Sequence, residues 1–293
     1  MVVAAVTMFS LNASLALFLL DDGMSAARLS ELRSVGSFLL VALIFALWRP
    51  APLRVSRAEL GHLAFLGIAG LAIVYAAYFL AIERIGPGPG LTIEYMAPGL
   101  VMAWLAIVHR RRLPGALWGA FALALTGCVL VVQAYDLDAL DTVGVAAAFG
   151  AAVSYAIYLA GSERAGRFHP VPVTIFWAFG FASLFWLVVQ PPWTFPFEQL
   201  GSAEDVLLAL GVVVIGTLLP YGLFVAAVRH VPAARAGAVG TLEPALSALF
   251  AYLIHGEALA AVQVLGIGTV LVAVIWIQLQ RPDLKQEAIG PPT

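Results

Sequence analysis

The chain has 293 residues, of which 62% are hydrophobic and 11% charged, and its mean hydropathy is +0.98. A soluble domain carries about 25% charged residues, so this composition excludes an ordinary soluble protein and predicts a polytopic protein of the lipid bilayer. The formal net charge of −2 provides no basic surface for nucleic acid, and the single cysteine excludes both a disulfide framework and a cysteine-based metal site.

The first apolar stretch, VVAAVTMFSLNASLALFLL, is predicted to be a retained span, because it lacks a basic n-region and the DDG that follows lacks a cleavage pattern. Nine further segments approach the roughly 20 apolar residues that a spanning helix needs. The ten predicted spans are 2–20, 30–48, 60–82, 88–108, 114–133, 143–162, 171–190, 206–228, 233–254 and 259–279. No segment alternates with the period of a strand, so the fold class is predicted to be an all-α membrane protein.

The distribution of Lys and Arg predicts that both termini are cytoplasmic. In that orientation only Arg28, Arg33 and Arg84 of the 15 basic residues lie outside, as the positive-inside rule requires. Every Arg and Lys is expected in a loop or at the end of a span. The membrane is expected to be the bacterial inner membrane. The outer run DLDALD at 136–141 lacks the glycine and the terminal glutamate of a calcium loop, so it is predicted to be solvated rather than metal-binding.

A shift of 146 residues places parts of the first half of the chain on identical residues of the second half. The matched pairs are Tyr75 and Tyr221, Pro98 and Pro244, Leu100 and Leu246, His109 and His255, and Leu113 and Leu259. The pattern predicts five-helix repeats at 1–135 and 143–280, an outer linker at 136–142 and a cytoplasmic tail at 281–293. An odd number of spans per repeat inverts the second copy, an arrangement typical of transporters whose binding site lies near the bilayer midplane.

The ninth predicted span carries a resemblance to a known family. It reads LEPALSALFAYLIHGEAL and is followed by QVLGIGTVLVAV, with Pro244, the pair Gly256–Glu257, and Gly266 and Gly268. With ten short spans, this resembles the EamA-type exporters of the drug/metabolite transporter superfamily, and the aromatic amino acid exporter branch is a candidate within them. In the first half Arg111 stands where Glu257 falls in the second. The resemblance implies two inverted five-helix repeats, a central cavity open to one side at a time, and export of amino acids or related metabolites.

Glu94 and Glu243 are the only acidic residues that fall well inside predicted spans. A buried charge costs at least about 2.5 kcal/mol in insertion assays, so each carboxylate is expected to face protein or water. Two interpretations stay open: a proton site or partner for a substrate ammonium, and a hydrogen bond to backbone freed by a nearby proline. Pro98 and Pro244 are predicted to be hinges or unwound cavity-lining turns, with a plain kink as the alternative.

Other polar residues inside spans are candidates for the lining of a cavity. Tyr75 and Tyr78 are three residues apart, Tyr155 and Tyr158 repeat that spacing, and Tyr221 follows a proline. Tyrosines also form belts at membrane interfaces, but an aromatic wall with hydroxyl tips would suit an amphiphilic solute. Asn12 either contacts substrate or hydrogen-bonds between helices. The full candidate set is Asn12, Tyr75, Tyr78, Glu94, Ser154, Tyr155, Tyr158, Tyr221, Glu243 and Ser247, with Pro98 and Pro244 as hinges.

The function predicted from these features is a secondary transporter that exports small amphiphilic metabolites by alternating access. Amino acids are favoured, with aromatic or large apolar ones first, and protons are a candidate coupling ion. No enzyme activity, cofactor or metal is predicted, and the oligomeric state is left open, with a monomer compatible. A nucleotide-sugar, phosphorylated-sugar or drug carrier of the same superfamily is the alternative, although a phosphate would require cations inside the cavity. An intramembrane lipid or prenyl transferase would need carboxylate clusters that the spans lack.

Overall fold

The architecture is all-helical, as predicted, and is described by a computed structural model for residues 1–48, 53–134, 141–256 and 258–280. Within these described ranges, ten helices are long and apolar enough to cross a membrane. The first five are α1 (Val2–Asp21), α2 (Ala26–Trp48), α3 (Arg57–Ile85), α4 (Pro87–Ile107) and α5 (Gly115–Val132). The second five are α6 (Thr142–Phe168), α7 (Val171–Val189), α8 (Ala203–Ala227), α9 (Ala233–His255) and α10 (Ala261–Leu279).

The boundaries of most spans agree with the predictions to within a few residues, and α6 is the main exception. The prediction ended this span at residue 162, where Glu163 and Arg164 interrupt the apolar run, but the helix continues to Phe168. It continues because Glu163 is fully buried and paired with Arg167 one turn later. Between α7 and α8 the chain forms two short 3₁₀ turns, Pro192–Thr194 and Phe197–Leu200.

Helices α4 and α9 are each interrupted at the corresponding position. In α4 the segment α4a (Pro87–Glu94) ends before Tyr95 and Met96, and α4b begins at Ala97. In α9 the segment α9a (Ala233–Gly240) is followed by Thr241, and α9b begins at Leu242. The reason is covalent: Pro98 and Pro244 have no N–H to donate to the carbonyl four residues earlier, so the helix breaks in the preceding turn.

The two halves share further local features at a separation of 146 residues, the same spacing that separates Tyr75 from Tyr221. Capping boxes start both third helices, Ser56 with Glu59 in α3 and Ser202 with Asp205 in α8. Both helices also contain a π-helical segment, Leu66–Ala72 in α3 and Val214–Leu218 in α8. The starts of α3, α4 and α5 therefore have counterparts at the starts of α8, α9 and α10.

Helix packing follows the same correspondence. Helix α2 packs on its counterpart α7, and α5 packs on its counterpart α10. The α5–α10 contact is close because glycines face each other: a Cβ on Gly127 would lie 3.0 Å from the Gly266 carbonyl oxygen. Small residues allow this approach between membrane helices. These contacts leave α1, α3, α4, α6, α8 and α9 around a central space.

Candidate functional site

A cavity of about 590 Å³ lies in this central space and is lined by every helix except α7 and α10. Most of its wall is apolar or aromatic, and a small number of polar groups interrupt it. Both helix breaks border it, since Tyr95 and Gly240 are among its lining residues. Its size and composition are those of a site for a small organic molecule.

Two carboxylates face the cavity from the two helix breaks. Glu94 is the last residue of α4a, and Glu243 lies in the first turn of α9b. They are close enough to interact electrostatically, and the Tyr95 side chain lies near Glu243. The Ser10 hydroxyl donates to the backbone carbonyl of Glu243 at 3.1 Å, which fixes this turn of α9b against α1. The broken helices thus place two acidic groups at one site.

Five tyrosines form a continuous wall along this cavity. The hydroxyls of Tyr75 and Tyr221 are 2.6 Å apart, and the rings of Tyr221 and Tyr158 are 5.3 Å apart. Tyr158 stacks on Tyr155 at 6.1 Å, and Tyr155 meets the edge of Tyr95 at 6.5 Å. The contact between Tyr75 and Tyr221 joins two residues that the sequence repeat had paired. The wall therefore runs from α3 across α8 and α6 to the break in α4.

Most of the candidate residues predicted from sequence come together at this cavity. Those in its lining are Asn12, Tyr75, Tyr78, Glu94, Tyr155, Tyr158, Tyr221, Glu243, Ser247 and Pro244. Ser154 lies outside the lining: its hydroxyl donates to the carbonyl oxygen of Ala69, within the π-helical segment of α3. Pro98 also lies outside and packs near Gly237 of α9a.

Asn12 makes a close contact that depends on a glycine. Its side chain occupies the place where a Cβ on Gly216 would lie, in the π-helical segment of α8. The corresponding glycine of the first half, Gly70, is approached by the backbone of Tyr158, so the two halves repeat this contact with a different partner. Asn12 is buried, at 5% exposed, and its Oδ1 atom has no hydrogen-bond partner among the described residues.

Arg33 is a lining residue that the sequence did not identify. The expectation that every Arg and Lys lies in a loop or at a span end is wrong for this residue, which is 9% exposed. The error came from starting the second span at residue 30, whereas α2 starts at Ala26 and places Arg33 two turns inside. Ser25 was the available sequence signal for a helix that starts at residue 26, because serine is a preferred helix-capping residue. In the structure its hydroxyl accepts the Arg28 N–H in that role.

The family relationship is decided by a model of the EamA-like transporter family, which matches residues 1–133 and 142–279. The chain belongs to this family. It is a transporter of the drug/metabolite superfamily and not an enzyme. Together with its ten apolar helices, its similarity to bacterial exporters indicates a multi-pass protein of the inner membrane.

Several relatives of this EamA-like transporter are exporters by name. The threonine/homoserine exporter RhtA of Escherichia coli (strain K12) is 29% identical over 256 residues, which cover 86% of this chain and 79% of RhtA. RhtA of Salmonella typhimurium (strain LT2) is 29% identical over 273 residues, 90% of this chain and 85% of that protein. The pseudopaline exporter CntI of Pseudomonas aeruginosa (strain UCBPP-PA14) is 24% identical over 241 residues, with coverages of 82% and 81%.

The fold of the EamA-like transporter is also that of a solved crystal structure. The two chains superpose with a TM-score of 0.75 at 20% identity, over 95% of this chain and 98% of the other. At this identity the similarity shows the fold alone.

Further buried charges lie away from the cavity of this transporter. The expectation that Glu94 and Glu243 are the only acidic residues well inside the spans is wrong, because Glu163 lies within α6 and is fully buried. Its Oε1 pairs with Arg167 at 2.7 Å, and its Oε2 accepts the backbone N–H of Ala233 at 2.7 Å. Arg235, 5% exposed, donates to the carbonyl oxygens of Ile277 and Gln280. These groups fasten α9a to α6 and α10.

Some predictions fall on residues outside the described part of the chain. They concern Glu257, the tail at 281–293 and most of the run DLDALD. Within that run Asp141 is described, and its carboxylate accepts the Gly144 N–H at the start of α6. Among the described residues no group of His, Cys, Asp and Glu could hold a metal ion.

Proposed function

We propose that this protein exports amino acids by alternating access through the central cavity. The observation that carries the proposal is a tyrosine-walled cavity into which both broken helices direct a carboxylate. Carboxylates can bind an ammonium group, and the aromatic wall can bury an apolar side chain. Relatives named as threonine/homoserine exporters support the amino acid class.

The preferred amino acid is a finer part of the proposal. Five tyrosines along one wall favour an aromatic or large apolar side chain, since rings bury apolar area and stack on one another. The names of the RhtA relatives point instead to the small hydroxylated side chains of threonine and homoserine. Hydroxyl tips on the same wall could bind those. A panel that contains both kinds therefore separates the two possibilities.

The transport motion we propose is a rocking of two five-helix repeats about the cavity. Matching capping boxes, π-helical segments and helix breaks support the repeats at 1–135 and 143–280. With five spans in each repeat, the second would be inverted in the membrane. Helices α3, α4, α8 and α9 would form the gates, and both termini would be cytoplasmic by the positive-inside rule.

In that orientation the structure would be open to the outside. The cavity includes Leu20 near the end of α1 and Pro87 at the start of α4a, both of which would be at the outer face. At the opposite end, Glu163 and Arg235 hold α9a against its neighbours. Protons remain the candidate coupling ion, with Glu94 and Glu243 as the groups that could carry them.

The charges of the cavity argue against a phosphorylated-sugar or nucleotide-sugar carrier. The sequence argument against this alternative was the absence of a cation, and Arg33 removes that argument. Two carboxylates nevertheless line the same cavity, so its formal charge is negative, and like charges repel an anionic phosphate.

A counterflow assay tests the proposal. Proteoliposomes preloaded with unlabelled amino acid are expected to accumulate the same amino acid as external label, with threonine, homoserine, phenylalanine, tyrosine and leucine each tested in turn. Protein-free liposomes set the background, and a sugar phosphate is the counter-probe. Exchange of none of the amino acids would defeat the proposal, whereas exchange of the sugar phosphate alone would favour the alternative carrier.

A further inference from the structure

Arg33 is the one basic residue among those that line the cavity, and its burial requires an explanation. A buried charge in a membrane-spanning helix is costly and usually marks a pathway for substrate or ion. Among the described residues no carboxylate lies within salt-bridge distance of its guanidinium. Its charge is therefore held in place by neutral groups rather than by an adjacent ion pair.

The neutral groups hold one edge of the guanidinium. Its Nε donates to the hydroxyl of Thr217 at 2.9 Å, and its Nη2 donates to the carbonyl oxygen of Gly216 at 3.4 Å. Both acceptors belong to the π-helical segment of α8, in which the regular helical hydrogen bonding is interrupted. The Thr217 hydroxyl in turn donates to the Val212 carbonyl, which fixes its orientation. The plane of Arg33 is set further by Tyr75, whose ring centroid lies 4.7 Å from Cζ.

The end of the guanidinium, formed by Nη1 and Nη2, keeps N–H groups that make no hydrogen bond to a described residue. Nη1 makes no hydrogen bond to a described residue and is not among the buried unpaired atoms, and Arg33 borders the cavity. One N–H of Nη2 is likewise available, so Nη1 and Nη2 present two parallel donors. This is the geometry with which arginine grips a carboxylate through two bonds.

The Asn12 side chain packs on the same π-helical segment of α8 that holds Arg33. Asn12 packs on Gly216, the residue whose carbonyl accepts from Arg33, and its Oδ1 is buried and unpaired. Because this oxygen lies against the glycine and is inaccessible, the contact fixes the position of the segment that holds Arg33 and does not itself form part of the ligand site.

The negatively charged groups of the cavity, Glu94 and Glu243, lie near the tyrosine wall. Arg33 lies over the Tyr75 ring, and Glu94 and Glu243 are near enough to interact electrostatically with Tyr75 and line the same cavity. A solute with an anionic and a cationic end could therefore bridge Arg33 and the two carboxylates while its side chain contacts the tyrosines.

We infer that Arg33 is the specificity-determining residue that binds the substrate carboxylate, while Glu243 and Glu94 bind the ammonium group. The inference rests on the proposed function in taking the cavity as the substrate site. It makes the substrate carboxylate a main determinant of affinity, because a decarboxylated amine would leave the fixed guanidinium without an anionic partner. The competing role for Arg33 is that of a distant counter-ion, which only offsets the charge of Glu243.

The test compares threonine with 1-aminopropan-2-ol, which lacks the carboxylate, and with 3-hydroxybutyrate, which lacks the amine. Phenylalanine, 2-phenylethylamine and 3-phenylpropanoate form a second matched set. Binding is measured as thermal stabilisation of the purified protein in detergent, and exchange is measured in proteoliposomes. In the unsubstituted protein the decarboxylated amine is expected to bind roughly ten- to hundredfold more weakly than its amino acid, the range for a lost charge-assisted contact.

Arg33→Gln is expected to weaken the amino acid by the same factor and to leave the decarboxylated amine nearly unchanged, so the preference for the carboxylate disappears. Arg33→Lys should recover part of it, since the charge returns without the two parallel donors. Thr217→Val keeps the arginine but removes the Nε acceptor, and should reduce the preference several-fold through loss of orientation. This variant keeps the test available if Arg33→Gln does not fold.

The outcomes separate this inference from the proposed function. Exchange of amino acids with an unchanged carboxylate preference in Arg33→Gln or Thr217→Val overturns the role of Arg33 and leaves the exporter intact. Carboxylate-dependent binding that disappears in Arg33→Gln, without exchange of any amino acid, supports Arg33 and defeats the exporter. Absence of stabilisation by every probe overturns the inference.

Discussion

Replacing Glu243 by glutamine is expected to weaken amino acid exchange about ten- to hundredfold in apparent affinity. The glutamine has the same shape but cannot carry the negative charge that pairs with a substrate ammonium. Hydrogen bonds to charged groups contribute about 1.5–3 kcal/mol, and each 1.36 kcal/mol corresponds to about a tenfold change in affinity. Glu243 lies at the break between α9a and α9b and lines the cavity, so its carboxylate can contact the substrate directly.

Two control variants locate the effect. Tyr95→Phe removes the hydroxyl that lies near Glu243 but keeps the carboxylate, so a smaller loss is expected. Glu94→Gln changes the second carboxylate of the same cavity and shows whether the two share the ammonium. The 3-hydroxybutyrate probe has no amine, so its binding should not weaken in Glu243→Gln. Equal weakening of that probe would contradict the assignment of Glu243 to the ammonium.

The same assay examines a proton role for Glu243. If this residue carries the coupling proton, the pH dependence of exchange should be absent in Glu243→Gln, because an amide does not titrate in this range. An unchanged pH profile in the variant would rule that role out and leave the binding role standing.

Replacing Glu163 by alanine is expected to lower the free energy of unfolding by about 3–5 kcal/mol, more than any other substitution proposed for this protein. The substitution removes two charge-assisted contacts of a buried carboxylate, each of which contributes about 1.5–3 kcal/mol. Glu163 is fully buried, pairs with Arg167 at 2.7 Å and accepts the N–H of Ala233 at 2.7 Å. Its loss therefore also exposes the first amide of α9a. The measurement is the thermal unfolding midpoint of the purified protein in detergent.

Arg84→Ala is the matched control for Glu163→Ala. Arg84 and Asp141 are 3.6 Å apart, with side chains 50% and 40% exposed, and exposed pairs contribute about 0–1 kcal/mol. Glu163→Gln should fall between the two, since its amide oxygen can still accept from Ala233. Equal unfolding midpoints for Glu163→Ala and Arg84→Ala would show that Glu163 does not fasten α9a.

The number of helices and the position of the breaks could be predicted from sequence because they follow from local chemistry. Apolar runs of membrane length define the ten helices. The prolines at 98 and 244 lack the N–H that continues a helix, so the interruptions of α4 and α9 lie in the turns before them. The repeat matched Tyr75 with Tyr221 in register, but the hydrogen bond between their hydroxyls is seen only in the structure.

The environment of individual polar side chains could not be predicted in the same way. Arg33 was placed at a span end because hydropathy does not distinguish a helix that starts at residue 26 from one that starts at residue 30. Glu163 marked the end of a predicted span because its partners, Arg167 and the Ala233 amide, are visible only after α6 and α9a have packed. Ser154 shares a helix with Tyr155 and Tyr158, but its hydroxyl is taken up by a carbonyl of α3.

The central claim is that substrate passes through this cavity, and blocking it at one residue tests the claim most directly. Ser247 lines the cavity, whereas Cys128, the single cysteine of the chain, is 1% exposed and leaves the unsubstituted protein as the control. Ser247→Cys is treated with a bulky methanethiosulfonate reagent before amino acid counterflow is measured. Exchange is expected to fall to the background of protein-free liposomes in Ser247→Cys alone, with excess substrate slowing the modification. Complete modification of Ser247→Cys with unchanged exchange would contradict the claim.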